Sequence, residues 1–401
     1  MATRGREYPR DDKRGVPLVY DMEIKNLKKA AQRLAKAVKK NERIILFGDS
    51  DLDGSTSVLL LKESLQNLGA GEIIIYFPEW ESEEYGLNKK ALEHLKQYSP
   101  SLLVALDCGI SNFKEIETAS QYGFQTIIID HHEVLDKLPK ADIIVNPKQP
   151  GDNYPFKKLT TVCLVFLLAR EMLGKKLSDG LKQSFFEIAA LGAIADMMPE
   201  EDFNKVVVNQ GLQTIKQTSR PGLALIIERA GLLSEPSARE IFKKLVAILN
   251  ITPLENHLTK SFLLLSGDRG QQNSVLSDEL ILLAKKRDQD IFNIVQEVSQ
   301  RVNENPGQMI FEGSDKWQRV LAGAASSRLC NRYKKPCFIF KKDIKQSRGS
   351  VRTPKGIDAV EALKTCADYL IMYGGHPPAA GFTAANENLD KLRECLEKYF
   401  G

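Results

Sequence analysis

Three short apolar runs each deliver the chain to acidic residues. Ile44-Ile45-Leu46-Phe47 leads through Gly48 to Asp49-Ser50-Asp51-Leu52-Asp53-Gly54, Leu102-Leu103-Val104-Ala105-Leu106 to Asp107, and Thr126-Ile127-Ile128-Ile129 to Asp130-His131-His132. Runs this short, rich in β-branched residues and closed by turn chemistry, read as buried parallel strands. Helix-like segments separate them, and regular alternation of strand and helix makes an α/β fold with a doubly wound parallel sheet. Such sheets gather their ligands outside the carboxyl ends of the strands. Five aspartates and two histidines are therefore expected at one crevice.

Carboxylates crowded into a partly dry site repel one another strongly unless cations neutralise them. Oxygen-rich donors with one or two imidazoles suit Mn²⁺ or Mg²⁺, whereas Zn²⁺ favours thiolate and histidine. None of the six cysteines, at 108, 163, 330, 337, 366 and 395, falls in a C-x-x-C spacing, which argues against a zinc site. Neither a calcium loop nor a helix cap accounts for all of the acids. Asp49 to Gly54 opens like an EF-hand calcium loop, but the twelfth position is Leu60 and a strand precedes the segment, where that loop needs a glutamate and a helix. Asp49 or Ser50 could simply cap a helix running from about Ser55 to Asn67, which covers one acid of three. Asp107 alone could be a solvated loop acid; its companions weigh against that.

At these residues the chain resembles the DHH phosphoesterase superfamily. The D-x-D-x-D-G segment, the lone Asp after a strand, the D-H-H and Asp196 in Ala193-Ile194-Ala195-Asp196 follow the order of its four motifs. Within it the chain most resembles the RecJ single-strand exonucleases, through Val145-Asn146-Pro147-Lys148, Tyr154-Pro155-Phe156-Lys157 and Gly192 to Pro199. Gly349-Ser350-Val351-Arg352 and Gly374-Gly375-His376-Pro377-Pro378-Ala379-Ala380-Gly381 resemble the DHHA1 domain that follows the DHH domain.

The resemblance implies a metal-dependent exonuclease that releases mononucleotides from single-stranded DNA, 5′ to 3′, in repair or recombination. Its cofactors would be two divalent cations, Mn²⁺ before Mg²⁺, which clamp an in-line displacement at phosphorus. By resemblance Asp107 would bridge them, Asp51 and Asp53 would hold opposite metals, His131 and Asp196 would complete one, and Asp49 would ligate or support. His132 would contact the scissile phosphate or protonate the leaving oxygen, a task suited to imidazole. Ser350, Arg352, Gly374, Gly375 and His376, with Arg348 as a weaker candidate, would hold substrate phosphates. Expected partners are single-stranded nucleic acid, DNA before RNA, with a single-strand-binding protein or a helicase.

Composition agrees. A chain of 401 residues, 43% hydrophobic and 27% charged, can bury a sizeable core in two or three domains. It contains no apolar stretch of membrane-spanning length, and its charged N-terminus lacks the apolar core of a signal peptide, so a cytoplasmic protein without membrane partners is expected. The net charge of +4 is modest. Its distribution is more telling, because Arg328, Arg332, Lys334, Lys335, Lys341, Lys342, Lys345, Arg348, Arg352 and Lys355 face a single acid, Asp343, in one segment. Such a block offers a sequence-tolerant track for phosphates; the alternative is a solvated surface loop.

The expected organisation is a charged leader over 1–21, a DHH catalytic domain with a helical extension over 22–276, a connecting helix over 277–304 and a smaller α/β DHHA1 domain over 305–401. Ile291, Val295, Val298 and Val302 mark the connector as amphipathic. About 25 residues of helix would span about 37 Å. Strands are expected at Ile73 to Phe77, Arg319 to Gly323 and Cys337 to Phe340.

Departures from the family pattern shape the alternatives. Pyrophosphatase members carry a histidine where this chain has Phe47, which disfavours that activity. RecJ enzymes carry an arginine after the second strand, where Pro78-Glu79-Trp80 is followed by Glu81, Glu83 and Glu84, and N-A-A-G-R where this chain reads Asn250-Ile251-Thr252-Pro253-Leu254. Two phosphate-binding arginines are thus missing, and grip on a polyanion should weaken. The sequence also ends without room for the OB-fold of longer RecJ proteins, so low processivity is expected. A phosphodiesterase acting on short oligoribonucleotides or cyclic dinucleotides is the main alternative. A non-catalytic scaffold is a lesser one, because all the principal ligands are present.

Overall fold

The computed structural model describes residues 23–79, 83, 86–135, 137–251, 253–267, 270–304 and 306–401. The expected leader lies outside the described residues. Two compact units divide the chain, Met1–Leu282 and Leu283–Gly401.

In the first unit, helix α1 (Leu27–Lys39) precedes strand β1 (Ile44–Gly48), α2 (Leu52–Leu68), β2 (Ile73–Tyr76) and α3 (Lys89–Leu95). Strand β3 (Leu102–Leu106), α4 (Phe113–Gln121), β4 (Gln125–Ile129) and β5 (Ile143–Val145) complete a sheet of five parallel strands, ordered β2-β1-β3-β4-β5. Its order reverses between β1 and β3. The switch point, where open α/β sheets bind ligands, therefore lies between the strands that end on Asp49 and Asp107. Both strands are buried along their whole length, as unbroken apolar runs require. On one face Ile45, Phe47, Leu103, Ala105 and Ile128 pack with Leu92 and Ile116; each large side chain buried there contributes about 1.5–3 kcal/mol.

Helices α5 (Thr161–Leu173) and α6 (Asp179–Ala195) pack against α2. α5 is buried nearly all round, as a helix without a polar face must be. Then follow α7 (Asp202–Thr214), α8 (Pro221–Arg229), α9 (Ala238–Leu249), the short hairpin β6 (Leu254–Glu255) and β7 (Leu258–Thr259), and α10 (Lys260–Ser266). The long helix α11 (Gln271–Glu304) has 34 residues, about 51 Å at 1.5 Å each. It begins before the expected position because its polar first turn carries no apolar period to read.

The second unit is built on β8 (Ile310–Ser314), α12 (Ala322–Tyr333), β9 (Cys337–Lys342), β10 (Gln346–Arg352), α13 (Ala359–Thr365), β11 (Met372–His376), β12 (Ala379–Ala385) and α14 (Leu389–Phe400). The strands form a mixed sheet, β11-β12-β10-β9-β8, in which only β8 and β9 run parallel. Phe338, Phe340, Val351 and Phe382 face α13 and α14, where a disulfide joins Cys366 to Cys395. Cys337 and Ile339 face α12 and the buried Ile291, Val295 and Val298 of α11.

The strand expected at Arg319 to Gly323 is instead a 3-10 turn, Arg319–Leu321, running into α12. Leu321, Ala322, Ala325, Ser326, Leu329 and Cys330 are the buried positions, a helical spacing that a five-residue window does not reveal. No helix among the described residues is long and apolar enough to cross a membrane.

Candidate metal centre and phosphate-binding face

The first acidic segment is held by close backbone packing. Asp51, not Asp49 or Ser50, caps α2, accepting from Gly54 N at 2.9 Å. Gly54 has no room for a side chain, since an added Cβ would run into the Asp49 carbonyl. Asp49 is buried and accepts from Ser50 N at 2.6 Å. Asp53 is fully buried, and its two oxygens accept from Thr161 N and Val162 N at 2.9 and 3.0 Å. That contact sets the carboxylate at the positive end of α5. Gly192 lets α6 approach, because a Cβ there would lie 2.9 Å from Asp53 Oδ1.

Asp107 leaves β3 in the left-handed region, φ 62°, and accepts from Thr161 Oγ1 at 2.8 Å. Asp130 does a different job from its neighbours. Its oxygens accept from Ile110 N at 3.1 Å and His132 N at 3.0 Å, and one stands 2.8 Å from His132 Nδ1. It therefore ties the loop after β3 to the loop after β4 and orients the His132 ring. His131 is buried with Nε2 3.5 Å from both Asp107 Oδ1 and Asp196 Oδ2.

Three sets bring one ligand atom per residue within 4.8 Å of one another: Asp49, Asp51 and Asp107; Asp53, His131 and Asp196; and Asp107, His131 and His132. Burial, then mutual repulsion, drives Asp53 and Asp107 well above the usual carboxylate range. Asp51 is raised mainly by burial, and Asp196 is pushed up to about 7 by burial and Asp51. Burial works against charge at Asp130 too, but His132 pulls it below its ordinary value; in turn Asp130 overcomes burial to raise His132 to about 9. Asp196 Oδ2 is a buried oxygen without a hydrogen-bond partner among the described residues. An acid-rich pocket with an orphaned oxygen and two imidazoles fits a pair of hard divalent cations.

The remaining candidates belong to the second unit. Ser350 and Arg352 lie on one face of β10 above the first turn of α12, where a Cβ on Gly323 would come 3.5 Å from Ser350 Oγ and 3.4 Å from Arg352 Nη2. Arg352 is half-buried and donates to Val351 O at 2.9 Å; its guanidinium has no carboxylate partner among the described residues. The register runs Ser350, Gly381, Gly374 across three strands, and Arg352, Ala379, His376 beside them. A Cβ on Gly374 would meet nothing within 4 Å, so this strip is bare backbone open to approach. The His376 side chain lies outside the described residues. Gly375, at φ 141°, packs against Ala379 and Ala380.

The basic block divides. Arg328 pairs with Asp288 at 2.8 Å, Arg332 bonds Ser299 and Lys335 bonds the Gly307 carbonyl. These three cations are therefore engaged within the protein.

Two features escaped the sequence. Thr161 holds both Asp53 and Asp107, and a Thr160-Thr161 pair before an apolar run is a readable helix start. At the end of β2, Tyr76 stacks on His257 at 4.2 Å, with His94 5.1 Å from His257 and Glu83 accepting from Tyr76 Oη at 3.1 Å. Phe77 N donates to His257 O, and Ser50 Oγ to Pro78 O. The end of β2 and the β6–β7 hairpin thus meet beside the acidic loop.

Residues 43–193 match the DHH family, N-terminal domain, and residues 294–401 the DHHA1 domain. The single-stranded-DNA-specific exonuclease RecJ of Bacillus subtilis is 32% identical over 385 residues, 94% of this chain and 48% of that one. RecJ from Thermus thermophilus in complex with Mn²⁺ superposes with a TM-score of 0.82 at 25% identity, covering 96% of this chain and 56% of its own. An exonuclease RecJ bound to manganese gives 0.77 at 26% identity, covering 94% and 95%. The chain spans about half the length of the first curated relatives it matches. The strand-end acids of the first unit fall within the first match and the mixed sheet of the second within the other, and the chain carries a DHH N-terminal domain followed by a DHHA1 domain.

Proposed function

We propose that the chain is a metal-dependent exonuclease that hydrolyses single-stranded DNA to mononucleotides, 5′ to 3′, in repair or recombination. The observation that carries this reading is the group of five carboxylates and His131 crowded into a largely buried pocket, whose mutual repulsion bound cations would relieve. Similarity to proteins named as single-strand exonucleases supplies the substrate class. The DHH domain with its helical extension is assigned to 22–276, the connecting helix to 277–304 and the DHHA1 domain to 305–401.

Asp49, Asp51 and Asp107 would hold one cation, and Asp53, His131 and Asp196 the other, with Asp107 shared. Bound there, Mn²⁺ or Mg²⁺ ions supply charge stabilisation at phosphorus and ease the ionisation of water. His132, oriented by Asp130, is the proton donor to the leaving oxygen. Arg352 and Ser350, at the first turn of α12, hold a substrate phosphate, the arrangement a helix N-terminus favours. Gly374, Gly375 and His376 extend that hold, and Arg348 reinforces it. A single-strand-binding protein or a helicase in the cytoplasm is the fitting protein partner.

The Tyr76, Glu83, His94 and His257 cluster favours a second reading, hydrolysis of short oligoribonucleotides or cyclic dinucleotides, because it offers rings and a carboxylate where a long polyanion would want cations. Hydrolysis with Mn²⁺ of 5′-labelled and 3′-labelled single strands, the same strands annealed, RNA dinucleotides and pyrophosphate separates the readings. Early release of 5′ label from single strands alone is expected. Activity confined to dinucleotides would promote the second reading.

A further inference from the structure

The turn between β9 and β10 presents Ile344 to solvent with 97% of its surface exposed, the most exposed of the large apolar side chains among the described residues. A lone exposed isoleucine is ordinary; its mounting is not. Asp343 N donates to Gln346 O at 3.0 Å, closing the turn. Asn386 then clamps it from the neighbouring chain segment, donating from Nδ2 to the Asp343 carbonyl at 2.7 Å and from its backbone N to Lys345 O at 3.0 Å, while accepting from Ser347 Oγ at 2.8 Å. The tip is thus fixed rather than loose. On either side stand Lys342 and Lys345, exposed and without an ion pair among the described residues, whereas Lys341 leans towards Asp343 at 3.8 Å. From this tip β10 runs through Arg348 to Ser350 and Arg352, a line of about 20 Å at 3.4 Å per residue.

We infer that the β9–β10 hairpin is a second nucleic-acid contact, on which a single strand continues away from the Ser350–Arg352 site, with Lys342 and Lys345 on its phosphates and Ile344 against the face of a base. Charge complementarity selects a polyanion, and a rigidly held apolar tip between cations suits the flat face of an unpaired base. No base edge is read, so the contact is sequence-tolerant. The inference rests on the single-strand reading above and extends it from the scissile phosphate to the length of the strand.

Two variants of the full chain test it, Ile344→Ala and the double change Lys342→Ala with Lys345→Ala, both at exposed positions where folding is not at stake. Anisotropy of fluorescent oligothymidylate, short and long, is measured in EDTA across a salt series, and hydrolysis of the same strands and of a dinucleotide is measured with Mn²⁺. The double variant should bind the long strand about tenfold more weakly, with a log–log salt slope shallower by about one to two. Ile344→Ala should lose about three- to tenfold with the slope unchanged, as for removal of a stacking surface. Dinucleotide hydrolysis should be unaffected by either. Long-strand affinity and slope unchanged in both variants would overturn the inference while leaving the exonuclease reading intact. Hairpin-dependent binding by a protein that hydrolyses no strand would uphold the inference and overturn that reading.

Discussion

Gly54 and Gly192 beside the acids of the first unit and Gly374 on the open strip of the second serve opposite ends. In the first, Gly54 and Gly192 are there because the interior is full, and an added methyl would strike the Asp49 carbonyl or the Asp53 carboxylate. In the second, Gly374 is there although space is abundant, because a Cβ would meet nothing. One set of glycines lets the protein approach itself, and the other leaves its backbone open to a ligand. The acids of the first unit are buried and fixed by neighbouring backbone, as chemistry at a single point requires. The cations near the hairpin of the second are exposed and loosely spaced, as grip along a strand requires. Catalysis and binding should therefore be separable by mutation.

The largest effect should fall on Asp107. Asp107→Asn keeps an acceptor for Thr161 but removes the charge common to two of the candidate ligand sets, and hydrolysis should drop by about three orders of magnitude or more. The same change relieves repulsion from Asp49, Asp51, Asp53 and Asp196, so the metal-free variant should melt no lower than the metal-free native protein. Wild type should gain about 2.7 kcal/mol when Mn²⁺ stands at a hundred times its Kd, and the variant should gain less. Thermal melts with EDTA and with Mn²⁺ check both statements. A variant with near-normal turnover would remove Asp107 from the centre.

Substituting the glycines sharpens the contrast. Gly54→Ala should weaken Mn²⁺ binding by about 10- to 100-fold, the range seen when the support of a metal ligand is disturbed, because the loop carrying Asp49 and Asp51 must shift. Gly374→Ala should leave stability within about 0.5 kcal/mol and metal binding intact, yet weaken strand binding. Calorimetric Mn²⁺ titration beside oligonucleotide anisotropy reads all of this, and equal effects on metal from the two variants would mean that both glycines support the metal centre. Arg352→Ala should behave like Gly374→Ala, with the salt slope falling by about one and metal content unchanged. Loss of metal from that variant would make Arg352 part of the support of the metal centre.

These regions also differ in how far they are legible in the sequence. Strand-end acids are legible because β1, β3 and β4 are continuous apolar runs, so the acid that follows each has its place set by the sheet itself. The basic block is less legible, because a cation's role depends on partners far away in sequence. Arg328 answers Asp288 and Arg332 answers Ser299 on α11, and nothing local in the segment tells them apart from Lys342 or Lys345. Asp130 looks like a ligand within a D-H-H triplet, but its backbone and imidazole contacts make it the brace of that triplet. At Thr161 the helix start is readable but the two carboxylates it holds are not, because Asp53 and Asp107 lie far away in sequence, and Asn386 is hidden for the same reason.

The smallest expected effect lies at the wall beside the acidic loop. Glu83 is nearly buried and is held by Tyr76 Oη and Asn88 Nδ2 at 3.1 and 3.2 Å. Glu83→Gln keeps an acceptor for the tyrosine and removes one negative charge facing any strand that enters there. Hydrolysis of long single strands should rise about two- to threefold at low ionic strength, and the gain should shrink as salt shortens the Debye length from about 30 Å at 0.01 M to about 8 Å at 0.15 M. Dinucleotide hydrolysis, in which little charge extends beyond the scissile phosphate, should change less. If kcat/KM for long strands is the same in variant and native protein at both ionic strengths, the wall's charge is not felt by the substrate, and its rings must account for any preference for short substrates.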